Sequence, residues 1–211
     1  MMFLPEIFVE KDLEKLYALI QDYPFATLIS HSDAGLDANH LPFKLLLDKE
    51  NNTAVLVAHI AKDNSLHTQI ENNADVLVIF QGEQGYISPN WYPTKQQHHQ
   101  HVPTWNYQVV HVKGKISFLH DEKALRGILA KLTRTHEAKQ AKPWKMSDAP
   151  NEYIAEELKG IVGIEVQIEN ITGKFKLSQN REKIDALGVV AGLEQQGEQG
   201  LAKAVQQYIE D

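Results

Sequence analysis

The chain has 211 residues, 43% hydrophobic and 23% charged, with a net charge of −7 from 21 Lys+Arg against 28 Asp+Glu. That composition belongs to a globular protein long enough to bury its own core, and the acidic balance argues against the basic footprint of a DNA-binding domain. Cysteine is absent, which excludes disulfides, thiolate zinc sites, iron–sulfur ligation and thiol catalysis and is compatible with the cytoplasm. The opening MMFLPEIFVEKDLEKL reads as neither a secretory signal nor a membrane anchor, and no long apolar run follows.

In chain order, Leu13, Leu16, Tyr17 and Ile20 recur at helical spacing and predict a helix over 12–22, stopped by Pro24. The period then changes. Phe25–Ser30, Leu36–Leu47 and Thr53–Ile60 read as extended, joined by turns at Ser32–Gly35 and Asp48–Asn52, the pattern of an antiparallel meander. A short helix is expected over Asn64–Asn72, and a buried strand over Val76–Phe80, with another starting at Gly85–Ser88. Gln108–Leu119 alternates as a strand. Asp121 caps a helix to about Ala138, with a stripe of Leu125, Ile128, Leu129 and Leu132. Pro150 opens a further helix that Gly160 closes, Ile161–Ile171 is a strand, and Val190–Ile209 is a helix broken near Gly197 and Gly200. The sum predicts mainly antiparallel β structure, closing as a barrel, with peripheral α-helices. No strand–GxGxxG–helix unit occurs, which argues against a Rossmann dinucleotide site.

Four segments are candidates for chemistry. Tyr86 to Tyr107 places two Trp-containing patches, around Trp91 and around Thr104-Trp105-Asn106, on either side of a polar loop with His98, His99 and His101. Flat aromatics beside hydroxyls and amides suit a polar-edged heteroaromatic ligand; an aromatic hairpin packing on its own core is the alternative. The run from His59 through Lys62, Asn64 and Ser65 passes from a strand into a helix N-terminus, where N–H groups favour an anion, although Asp63 opposes one and an ordinary capped helix explains it equally. Lys174, Lys176, Ser178, Gln179 and Arg181 form a basic, amide-rich segment suited to a phosphate or a ring edge; a charged surface strand is the plain alternative. The histidine loop lacks metal-ligand spacing and reads as a lid or an intersubunit contact. The Asp37-Ala-Asn39-His40-Leu-Pro42 strand carries an edge or bulge signal at Pro42.

Taken in order, MMFLPEIF, LDANHLPF, HIAKDN, YISPNWYP, VPTWNYQVVHVKG, LTRTHE, PWKMSDAP, GIVGIEVQIENITGKFKLSQNR and GVVAGL resemble the PaiB-type FMN-binding negative transcriptional regulators over nearly the whole chain. The resemblance implies one FMN-binding split-barrel domain over 1–211, related to pyridoxamine-phosphate-oxidase-like flavoproteins, with helical additions at about 121–158 and 190–211. It further implies a cytoplasmic homodimer with flavin between subunits. On that footing the junction His59 to Ser65 is the phosphate site, with Lys62, Asn64 and Ser65 as its candidates. Trp91, Thr104, Trp105 and Asn106 would lie beside the isoalloxazine or an adjacent substrate space. Lys176, Ser178, Gln179 and Arg181 would close the site from the same or the partner subunit. In one departure, the oxidases carry Arg-Lys where this chain has Asn64-Ser65, which implies a differently filled phosphate site. The readings that remain open are a regulator acting directly or indirectly on DNA, a flavin-dependent oxidoreductase acting on a small molecule, and a heme-binding split barrel.

Overall fold

The computed structural model describes residues 2–48, 50–51 and 53–210; Lys49 and Asn52 of the turn expected at Asp48–Asn52 lie outside them. Its strands are β1 (Val9–Glu10), β2 (Phe25–Ser32), β3 (Gly35–Pro42), β4 (Lys44–Asp48), β5 (Thr53–Ala61), β6 (Ala74–Ile87), β7 (Thr104–Leu119) and β8 (Ile161–Lys176). The helices are α1 (Leu13–Asp22), α2 (Leu66–Gln69), α3 (Lys95–His98), α4 (Glu122–Glu137), α5 (Asn151–Leu158), α6 (Lys183–Gln195) and α7 (Gln199–Glu210). Strand order in the sheet is β3-β2-β6-β7-β8-β5-β4, with β1 paired to β8. The β1–β8, β2–β3, β2–β6, β4–β5 and β5–β8 ladders are antiparallel.

Three expected boundaries move. The single extended segment over Leu36–Leu47 is two strands, because the chain leaves the β2 ladder after Pro42 and re-enters at Lys44 beside β5. The glycine-rich QGEQG segment is not a break. It continues β6, because Gly82 carries no side chain where Leu19 and Gln108 press within 3.3 Å of a Cβ position. The helix expected from Val190 begins at Lys183. Ser178 sits at φ 70 with its carbonyl accepting from Arg181 N, so it closes a turn ahead of the helix.

The chain forms two compact units. Residues 20–80 and 111–171 make one, and residues 2–19, 81–110 and 172–210 the other; β6, β7 and β8 contribute to both. In the first unit, the Asp121 carboxylate accepts from Ala124 N and starts α4. Ile128 and Leu132 then bury against Val57 of β5, and Leu125 packs with Ile154 and Leu158 of α5. In the second, α6 and α7 bury Val189, Leu193, Leu201 and Val205. The break between them is a Schellman turn: Glu198 N donates to Leu193 O, Gly197 N donates to Glu194 O, and Gly197 adopts φ 84.

Candidate functional site

In the unit of residues 20–80 and 111–171, β5 ends and the chain turns at once, with Lys62 N donating to Gly160 O and Asn64 N to Ala61 O. Asn64 then acts as a structural lock. Its Nδ2 donates to Asn39 Oδ1 at 2.7 Å, and its Oδ1 accepts from Leu66 N at 2.9 Å. Both ends of its amide are therefore engaged. Lys62 and Ser65 are exposed, and Ser65 makes no side-chain cap to α2, so their ammonium and hydroxyl remain the junction's free donors among the described residues. Because α2 is a single turn, its dipole contributes little, and an anion here would depend on those two groups. His59 has a different setting: it lines a cavity with Leu129, Leu158 and Ile161.

In the unit of residues 2–19, 81–110 and 172–210, the start of β7 meets the end of β8. Lys176 Nζ donates to Trp105 O at 2.8 Å and to Thr104 Oγ1. Partial burial, then the charges of Lys174 and Arg181, lower the Lys176 pKa. Asn106 is buried and donates to Ser178 Oγ at 2.8 Å. Gln179 is turned onto its own turn, donating to Phe175 O and accepting from Leu177 N, so it shapes the turn. Trp105 and Tyr86 are about half exposed, with ring centroids 6.4 Å apart and edge-on. Trp91 lies instead against α6: a Cβ at Gly192 would stand 2.3 Å from its ring, and one at Gly188 2.1 Å from its carbonyl oxygen. The glycines of GVVAGL are its seat.

Arg181 belongs to a network that sequence reasoning missed. Its Nη1 meets His101 Nδ1 at 3.3 Å, His101 Nε2 meets Thr94 Oγ1 at 2.7 Å, and Thr94 donates to Asp185 through Oγ1 at 2.7 Å and through N at 3.1 Å. Since the Thr94 hydroxyl is spent on the carboxylate, it accepts from His101 Nε2–H, and Nδ1 accepts from Arg181. Thr94 and Asp185 are buried. Tyr92 packs on His101 at 4.7 Å with the Arg181 guanidinium 4.7 Å over its own ring. Its hydroxyl is buried and makes no well-formed hydrogen bond, and burial raises the phenol pKa while the charge and nearby N–H groups of Arg181 oppose. The available signal was an acidic residue inside the apolar run IDALGVV, legible only once the helix is known to begin at Lys183. His98 and His99 stay exposed, and the His98 ring packs on His101 with centroids 4.9 Å apart.

Ser178 and Arg181 also line a polar recess of about 140 Å³ with Lys183 and Tyr208. That is too small for a tricyclic ring and suited to an anion or a hydroxylated chain. The donors therefore divide between the units: Lys62 and Ser65 in one, Lys176, Ser178, Arg181 and the exposed aromatic pair in the other.

Residues 2–170 match the family model FMN_bind_2, described as "Putative FMN-binding domain". The chain belongs to this FMN-binding family. A curated relative, the protease synthase and sporulation protein PAI 2 of Bacillus subtilis, is 32% identical over 210 residues, covering 100% of this chain and 97% of its own. Among solved structures, the FAD and heme binding protein from Mycobacterium smegmatis matches with TM-score 0.59 at 16% identity, covering 80% of this chain and 73% of that one. The flavocytochrome Anf3 from Azotobacter vinelandii matches with TM-score 0.56 at 14% identity, covering 80% and 69%. The fold of this family member is the antiparallel split barrel with peripheral helices, and its cofactor is FMN. The donor set fits that cofactor. Ammonium, guanidinium and hydroxyl groups suit a phosphate dianion, N–H donors suit the ring carbonyls, and the half-exposed Trp105 and Tyr86 offer flat apolar area.

Proposed function

We propose that this protein is a cytoplasmic, homodimeric flavoprotein, with 1–211 working as one flavin-binding domain, whose candidate FMN contacts are Lys62 and Ser65 in one unit and, separately, Thr104, Trp105, Lys176, Ser178 and Arg181 in the other. The observation that carries the reading is Lys176. Two of its three donors fix Thr104 and the Trp105 carbonyl, and the third is left for a ligand beside an exposed indole. Asn64, Asn106 and Gln179 act in this reading as braces, through their bonds to Asn39 and Leu66 N, to Ser178, and to Phe175 O and Leu177 N. Bound FMN supplies hydride and electron transfer, and the chain's part is to bind, orient and shield it. Support for a regulatory role comes from the name of the Bacillus relative and from the resemblance of the motifs. With a net charge of −7, a route through flavin redox state or a partner protein is favoured over direct DNA contact.

A fluorescence titration with FMN tests the cofactor assignment. One FMN per chain is expected, and Lys176→Ala should weaken binding by about ten- to a hundredfold, as for the loss of a charged hydrogen bond. Wild-type affinity in K176A would refute the placement. In the absorption spectrum a flavin band supports this reading and a Soret band the heme alternative. Sedimentation tests the dimer, and a salt titration of DNA mobility shifts tests direct operator contact.

A further inference from the structure

We propose that the cavity between α4, α5 and the sheet binds a small neutral aromatic molecule carrying one hydrogen-bond acceptor. The cavity measures about 210 Å³, and Leu129, Leu158 and Ile161 supply apolar wall. An apolar cavity of about 150 Å³ holds benzene, so this one accommodates a single ring with a short substituent and is far too small for a flavin or a heme. Trp144, from the linker between α4 and α5, lines it while 43% exposed, and its backbone is pinned there by Glu137 Oε2, which accepts from Trp144 N at 2.8 Å. A held, half-exposed indole beside an apolar space is a stacking wall for an aromatic ring.

His59 sets the ligand's polarity. Its Nδ1 is fully buried with no hydrogen-bond partner, and burial lowers its pKa, so the ring is neutral. A buried N–H without an acceptor is rarer than an acceptor left unused. The proton therefore sits on Nε2, the polar group remaining to the cavity that the ring lines. An Nε2–H donor calls for an acceptor on the ligand, such as an aryl ketone oxygen or an aza-arene nitrogen. Glu157 also lines the cavity and is exposed, and its carboxylate disfavours an anionic acceptor such as benzoate. His59, the first residue of the expected phosphate junction, lines it, whereas Lys62, Ser65, Thr104, Trp105, Lys176, Ser178 and Arg181 do not, so this site and the flavin reading fail separately.

Calorimetric titration of the FMN-saturated, full-length protein with acetophenone, cumene and benzoate tests the site, with flavin absorbance recorded throughout to report cofactor retention separately. One acetophenone per chain is expected, favoured over its acceptor-free analogue cumene by about two- to tenfold, with no benzoate binding. In NMR spectra acetophenone should shift the Trp144 indole N–H. His59→Phe should keep both neutral ligands and lose the preference, and Leu129→Trp should lose both while retaining the native circular dichroism. No saturable acetophenone binding up to its solubility limit, an unchanged preference in H59F, or binding that spares the Trp144 resonance would each overturn the proposal.

Discussion

Gly188→Ala and Gly127→Ala make the same chemical change in the middle of two helices and should act in opposite directions. In an exposed helix interior, Ala is favoured over Gly by about 1 kcal/mol. Gly127 faces open space, with nothing within 4 Å of a Cβ, so G127A should be more stable by about that amount. Gly188 would place its Cβ 2.1 Å from the Trp91 carbonyl oxygen and 2.8 Å from Pro93 Cδ. Neither is the far end of a flexible side chain, so α6 must move away from the Trp91 segment. Overpacking costs about 1–3 kcal/mol, here toward the upper end because backbone is struck, and the propensity gain offsets about 1 kcal/mol. The net expectation is a loss of about 2 kcal/mol. With a urea m-value of about 2 kcal/mol/M, G188A should lower the midpoint by about 1 M and G127A should raise it by about half that. Unfolding followed by circular dichroism at fixed protein and FMN concentration reads both. A G188A protein as stable as wild type would show that Trp91 does not rest on α6.

Asp185→Ala leaves the Thr94 amide and hydroxyl without their shared acceptor and should cost about 1–3 kcal/mol per unsatisfied group, while releasing the 94–101 loop to limited proteolysis; an unchanged cleavage rate would contradict the network. Asn64→Ala removes both the Asn39 bond and the cap on Leu66 N, and a loss of about 1 kcal/mol is expected in the same urea assay. Burial lowers the pKa of His59, and burial followed by the Lys113 charge lowers that of His111. The unfolded chain therefore takes up protons near pH 6.5 that the folded chain refuses. Stability is full above that pH and falls as the pH drops toward the lowered folded values. H59F should flatten this acid limb in thermal melts between pH 7.5 and 5, and an identical slope would remove His59 as a contributor.

The helices legible in advance were those whose burial follows a simple stripe. Leu125, Ile128 and Leu132 recur at helical spacing behind the Asp121 cap, and α4 is found there because its buried face is a single apolar stripe, legible without knowing the partners it packs on. The start of α6 was hidden for the opposite reason. Ile184 and Leu187 are exposed while Asp185 is buried, so apolar periodicity points away from the core. The QGEQG segment hid the continuity of β6 because glycine marks turns and close approaches alike, and only the neighbours of Gly82 distinguish the two.

Residue type and order alone determined the antiparallel class and the FMN-binding family. The class rests on alternation and turn chemistry and the family on the resemblance of its motifs in order, all properties of the chain before it folds. Tertiary structure decided how each candidate is used. Asn64 and Asn106 became internal braces because their amides found Asn39 and Ser178, far away in sequence, Gln179 because its amide closed on its own turn, and Trp91 became packing because two glycines on α6 left room for it. Lys176 kept a donor to spare, and His101 was drawn out of its loop onto Thr94 and Arg181. A side chain's type sets which bonds it can make, whereas whether those bonds are already taken depends on what the fold places within 3 Å of it.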